Sequence, residues 1–336
     1  MVLAAVLSLE VAATAEPALL ELEATIPLPE VRGRIDHLAV DLARQRLYVA
    51  ELGNDSVGVI DLKERKYLRT LTGLPQPQGL GYVPSSDSLY VANAGDGSVR
   101  IYQGADLVAA GRIDLGEDAD NVRVEDSAQR VYVGYGAGAV AAIDTASRRK
   151  ISELRLDAHP ESFQLARADN RIFVNVPDAG EITVVYRDAS RQNASWNSRG
   201  LRANFPMALD EPNGKLFVVY RKPARLGVIA TDTGRLIAAR ETCGDSDDVF
   251  LDAQRARLYV ICGSGFLDVF STRDDYPLRA HLATQAGGRT GLFVPVLDRL
   301  FVATRTNGTT AASVSVFRPT HYERTSRAQN WARTPK

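Results

Sequence analysis

Hydrophobic residues fall in short runs along this chain, and the runs recur. An aliphatic residue, an aromatic ring and a valine appear as Leu47-Tyr48-Val49, Leu89-Tyr90-Val91, Val131-Tyr132-Val133 and Ile172-Phe173-Val174. The same triplet returns as Leu216-Phe217-Val218, Leu258-Tyr259-Val260 and Leu300-Phe301-Val302. From ring to ring the steps are 42, 42, 41, 44, 42 and 42 residues. Seven copies at near-constant spacing span residues 19–318. A period of this length marks an array of small repeated units.

Each unit has the same parts. A turn rich in Asp, Asn, Ser or Gly precedes the aromatic run, as in Pro84-Ser85-Ser86-Asp87. A second turn follows it, as in Gly95-Asp96-Gly97. An alternating run comes next, such as Val99-Arg100-Ile101-Tyr102 or Leu267-Asp268-Val269-Phe270, and a further extended segment closes the unit. These runs are β-branched and aromatic, four to eight residues long, and bounded by turn formers, which is the signature of strands. Helical periodicity is not sustained anywhere. Four short strands, seven times over, predict an all-β, seven-bladed propeller of four-stranded antiparallel blades. The seventh repeat supplies a strand at residues 313–317 and then a polar tail, so it lacks an outer strand. The segment 19–28 reads as that missing strand, brought from the N-terminus to close the ring and remove an open edge.

The stretch Leu89-Tyr90-Val91-Ala92-Asn93, with Gly97-Ser98-Val99 after it, resembles the YVTN-type propeller repeat of YncE-like proteins. The resemblance covers about nine-tenths of the chain. It implies the propeller fold and no established chemistry. Only the second repeat keeps the Asn after the motif in the family form, as Asn93; the fourth places Asn175 directly after its valine and the others place other residues there, so the loops have diverged. The Trp-Asp dipeptide of WD repeats is absent, and Trp196 and Trp331 are too few for Trp-docked blades.

In such a ring, the loop entering each inner strand lies on the same face as the turn between second and third strands. The seven entering loops then surround the mouth of the central channel. They include Gly33-Arg34-Ile35-Asp36-His37, Asp120-Asn121, His159-Pro160-Glu161 and Cys243-Gly244-Asp245-Ser246-Asp247-Asp248. Candidate ligand-binding residues at this mouth are Arg34, Asp36, Asp120, Asn121, Glu161, Arg221, Asp247, Asp248 and Arg289. His37 and His159 are candidate general bases. Carboxylates with imidazoles make Asp36, His37, Asp120, His159, Glu161 and Asp247 candidate ligands for Ca²⁺, Mg²⁺ or Zn²⁺. The competing reading is that these polar side chains bond backbone N–H groups and fix turns. No cofactor is otherwise expected.

Composition narrows the partners. The chain has 336 residues, 45% of them apolar, and a net charge of -1. No excess of Lys and Arg exists to neutralise phosphates, so nucleic acid is not an expected partner. Residues 1–15 read as a signal peptide or its remnant: a nine-residue run, apolar but for Ser8, leads to Ala13-Thr14-Ala15, a small-x-small cleavage pattern. Against that reading, no basic residue precedes the run and Glu10 interrupts it. The expected organisation is a leader over 1–15, one propeller over 16–318 and a polar, disordered tail over 319–336. The expected location is periplasmic or secreted, as a monomer without a transmembrane segment. Cys243 and Cys262 fit no metal or redox spacing. Both fall in the sixth blade, on neighbouring strands and on the mouth face, where they can form a disulfide.

Two functions fit these expectations. The first is an exported, non-enzymatic scaffold that binds a small molecule or a protein through the mouth. The second is a metal-dependent, lactonase-like hydrolase or lyase with its site in the same place.

Overall fold

The computed structural model describes residues 18–188, 193–308 and 310–320. They form seven four-stranded antiparallel sheets. The first blade runs Leu38–Asp41, Arg46–Glu51, Ser56–Asp61 and Lys66–Thr72, from the channel outward. The next five repeat that order, their inner strands beginning at Pro77, Ala119, Phe163, Arg202 and Ser246. In the seventh, Thr290–Val294, Arg299–Thr304 and Ser313–Pro319 are followed by Leu20–Pro27 as the outermost strand. The predicted ring closure is therefore present. Leu20 pairs with Pro319 and Pro27 with Ser313. The last strand runs through Pro319, two residues beyond the run read from sequence. The expected leader and the tail beyond residue 320 lie outside the described residues.

The repeated triplets build the core. Their aromatic residues are at most 5% exposed. Each apolar cluster is shared between two adjacent blades. Val83, Tyr90 and Ala92 of the second blade pack with Val122, Val131 and Val133 of the third, and Phe217 and Leu226 of the fifth pack with Leu258 and Phe270 of the sixth. A blade alone would leave one face of its sheet in water; the ring covers every face with a neighbour. Burial of apolar surface on that scale is the main force holding the ring.

The face away from the mouth is tied by charge. Asp41 Oδ1 accepts from the Arg44 backbone N–H at 3.0 Å. Arg44 then reaches across to Asp87 of the second blade at 2.6 Å. Arg255 does the same between Asp252 and Asp298 of the sixth and seventh blades. Asp41 and Asp252 each fix a turn through a backbone N–H, and the arginines they hold also clamp blades together.

Between the second and third blades the inner strands come so close at one point that only glycine fits. A Cβ on Gly79 would stand 2.0 Å from the Asp120 carbonyl oxygen of the third blade. Gly79→Ala is expected to lower stability by roughly 1–3 kcal/mol, as overpacking does, read from the urea unfolding midpoint. Cys243 and Cys262 are joined, with Cα atoms 5.8 Å apart and 19 residues between them in sequence. Replacing both with Ser is expected to cost about 3 kcal/mol through the freed loop entropy of the unfolded chain, measured by guanidinium unfolding without reductant.

Candidate functional site

Four of the seven inner strands are irregular at the mouth end. In the second blade Pro77 pairs with Asn93, but Leu80 pairs with Val91, leaving an extra residue around Gln78 and Gly79. The third blade has the same slip between Ala119 and Val122, at Asp120 and Asn121. The fifth slips between Asn204 and Met207, at Phe205 and Pro206. The sixth slips between Ser246 and Asp248, at Asp247. Such bulges break the strict alternation of a strand and re-aim side chains. Gln78, Asp120, Phe205 and Asp247, one from each bulge, all line one mouth cavity of ≈ 400 Å³. His159, Glu161, Arg34, Arg221 and Arg289 line it too.

One side of the mouth is fully ion-paired. Asp247 is held by Arg221 and, at 2.7 Å, by Arg289 Nε. The Arg221 guanidinium lies 3.6 Å from the centre of the Phe205 ring, a cation–π contact that fixes its plane. Asp245, more exposed at the rim, takes a further bond from Arg289 Nη1 at 3.2 Å. Asp248 faces the other way. Its Oδ2 accepts the Gly291 backbone N–H at 2.8 Å and stands 3.6 Å from His37 Nδ1. The three acids of the Cys243–Asp248 stretch thus divide between arginine pairs and one backbone bond. Arg34 pairs with Asp36 at 2.7 Å, and His37 Nε2 lies 3.7 Å from the other Asp36 oxygen.

The opposite side is different. Asp120, His159 and Glu161 bring one ligand atom each to within 4.8 Å of one another. His159 Nδ1 donates to the Gly136 carbonyl at 2.6 Å, so Nε2 points toward Asp120 Oδ2, 3.9 Å away. Asp120 Oδ1 and Asn121 Oδ1 are buried without a hydrogen-bond partner. This group of imidazole and carboxylates has the chemistry to hold a metal ion.

Burial sets the protonation of the mouth. Desolvation, reinforced by Asp120 and Asp247, pushes Glu161 up to about 8. Desolvation pushes Asp36 up to about 7 against the pull of His37 and Arg34. Burial works against the charge on His159, but Asp120 and the Gly136 carbonyl outweigh it and raise the imidazole to about 9. Asp248 and Asp36 likewise outweigh burial at His37 and raise it to about 10. Both imidazoles are therefore cations at neutral pH, a poor state for a general base.

Below the mouth the channel continues as a cavity of ≈ 340 Å³ lined by His37, Arg123, Asp248 and the inner strands. Arg123 donates to the Phe163 carbonyl at 2.9 Å and to Ser162 Oγ at 3.1 Å. Of the residues singled out from sequence, the structure gathers Arg34, Asp36, Asp120, Glu161, Arg221, Asp247 and Arg289 at one opening, with His159 among them. Asn121 lies in the recess below them. Asp248 lines the channel instead. Sequence reasoning missed Gln78, Phe205 and Arg123. A charge between Val122 and Val124 in an inner strand was the available signal for Arg123; Phe205 sat unremarked in an entering loop.

No family model matches the chain. It is 23% identical over 239 residues to the uncharacterized protein YncE of Salmonella typhimurium, covering 66% of this chain and 67% of that one. The YncE of Salmonella typhi matches to the same extent. The similarity to YncE thus extends from the repeat pattern to the aligned sequence over about two thirds of the chain. Among solved structures, Kuenenia stuttgartiensis hydrazine synthase superposes with a TM-score of 0.75 at 15% identity, over 90% of this chain and 100% of that chain. The RRP9 WD40 repeats give 0.75 at 10% identity, over 91% and 98%. Both likenesses are of fold.

The raised carboxyl of Glu161 makes stability pH-dependent in a defined direction. Below its unfolded value of 4.5, native and unfolded chains both hold the proton. Between 4.5 and about 8 only the native chain does, so stability falls as pH rises through that window. His159, raised from 6.5 to about 9, extends the same fall upward. The urea midpoint of chelator-treated protein is expected to drop from pH 5 to pH 9, with Glu161→Gln flattening the part below pH 8. A wild-type midpoint that rises over that range would contradict the assignment.

Proposed function

We propose that this chain is an exported binding propeller, without enzymatic activity, that takes a small polar ligand bearing a cationic group at the channel mouth. The observation that carries the reading is the convergence of four strand bulges on one polar cavity of ≈ 400 Å³. Bulges cost regular pairing, and here all four deliver side chains to the same place. The volume suits a small molecule better than a flat protein surface. Arg221 and Arg289 are already paired with Asp245 and Asp247, whereas Asp120 keeps a bare carboxylate oxygen and the Glu161 carboxyl, among the described residues, has no ion pair or hydrogen bond. Asp120 supplies the attraction for a cation, and Glu161 adds to it when it gives up the proton that burial holds on it. Export is supported by the Cys243–Cys262 bridge, since reducing compartments keep thiols apart. Among the described residues, no helix is long and apolar enough to cross a membrane.

A second reading, a lactonase-like hydrolase or lyase, is favoured by the Asp120, His159 and Glu161 grouping alone. It requires turnover of lactones or esters that stops on Asp120→Asn.

A thermal-shift screen of small amines, zwitterions and neutral sugars separates these readings from their failure. Amines or zwitterions are expected to stabilise the protein, and Asp120→Asn to weaken that binding by about 10-fold or more, the scale of a lost charged hydrogen bond. Stabilisation by neutral sugars alone, or binding untouched by Asp120→Asn, would remove the proposal.

A further inference from the structure

We infer that the third and fourth blades carry a divalent-cation site formed by Asp120, Glu161 and His159 Nε2, with Asn121 Oδ1 as a neighbouring oxygen donor. The inference rests on reading the mouth as a binding site and names one occupant of it.

Three observations point there independently of the acidity itself. The first is the contrast with the other acids of the mouth. Asp247 has two arginines, Asp248 a backbone N–H and Asp36 an arginine. Asp120, only 5% exposed, keeps Oδ1 without a hydrogen-bond partner, and Asn121, 2% exposed, does the same with its own Oδ1. Buried oxygens left bare are costly unless something occupies the space before them. The second is that such a space exists. Asp120, Asn121 and Glu161 line a recess of ≈ 10 Å³ whose wall also includes Arg34, Asp36 and His37, about the room one water or one ion needs; His159 meets Asp120 and Glu161 from the adjoining mouth cavity. The third is the orientation of His159. Its Nδ1–H is committed to the Gly136 carbonyl, an arrangement that fixes the ring and presents Nε2 as the ligand atom.

The mutual spacing is also right. Six-coordinate ions with bonds of about 2.1–2.4 Å separate opposite ligands by about 4.2–4.8 Å, and the three ligand atoms here all lie within 4.8 Å. One imidazole among oxygens favours Mn²⁺ or Zn²⁺ over Mg²⁺, which takes oxygen and holds its waters. Arg34, on the wall of the same recess, is engaged by Asp36. Binding replaces the proton on His159 with the ion, so affinity rises with pH.

The test uses the full chain exported into a periplasm and purified without chelator. Metal content is measured by elemental mass spectrometry. The stripped protein is then titrated calorimetrically with Mn²⁺, Zn²⁺, Ca²⁺ and Mg²⁺. One ion per chain is expected, bound at least about 10-fold more weakly by Asp120→Asn, Glu161→Gln and Asn121→Ala, and unchanged by the rim variant Asp245→Asn. Pulsed electron paramagnetic resonance of the Mn²⁺-loaded wild type is expected to show coupling to one imidazole nitrogen, a readout that needs no variant to fold. Absence of stoichiometric ion, affinity equal in all variants, or a Mn²⁺ signal without nitrogen coupling would each overturn the site. Repeating the small-molecule screen with and without ion keeps the two ideas apart. Amine binding in chelator with no ion bound leaves the mouth reading and ends this one; ion binding with no small-molecule hit does the reverse.

Discussion

The pairing of Leu20–Pro27 with Ser313–Pro319 is the constraint on which the rest of this structure depends. It joins the two ends of the repeat array in one sheet. Arg299 and Glu23, 276 residues apart, bond across it. Without that pairing the seventh blade would present an unpaired strand, and the apolar faces between the seventh and first blades would meet water. Val314 and Phe301 share a cluster with Leu38 and Leu47 of the first blade, so closure in the sheet and closure of the core are one event. A closed ring in turn fixes how near the inner strands approach, which is why glycine stands opposite the Asp120 carbonyl.

Crowding at the hub leads directly to the chemistry of the mouth. Seven inner strands ending around one axis leave little water between their polar side chains. Desolvation then acts on every acid there, and each must find a partner, keep a proton or wait for a ligand. Asp247 has taken the first course through Arg221 and Arg289. Glu161 takes the second at neutral pH. Asp120 is left with the third, and its place in a bulge is what exposes it to that choice.

The ring was legible because its signal repeats. The triplet Leu47-Tyr48-Val49 and its six relatives are core residues that packing demands in every blade, so spacing alone revealed them. Closure was legible because residues 313–317 had no outer partner and residues 19–28 had the right alternation. The mouth was legible only as a set of loops. Which acid faces an arginine and which faces an empty recess depends on the one-residue slips at Asp120, Phe205 and Asp247, and a slip leaves no periodic trace in sequence. Phe205 escaped for that reason, since in a regular loop it reads as a turn residue beside Pro206. Cys243 and Cys262 were placed correctly because their partnership follows from strand adjacency, which the repeat already supplied.

The closing strand has a geometric corollary for the mouth. The Thr320 backbone N–H bonds the Leu19 carbonyl at 3.1 Å, and Arg257 binds both segments through their carbonyls. This junction lies on the face that carries the Asp41 and Asp252 turns, on the far side of the ring from Asp120. The described chain therefore enters and leaves the ring at one point, on the blunt side opposite the mouth, so the mouth is free of the segments that tie the ring shut.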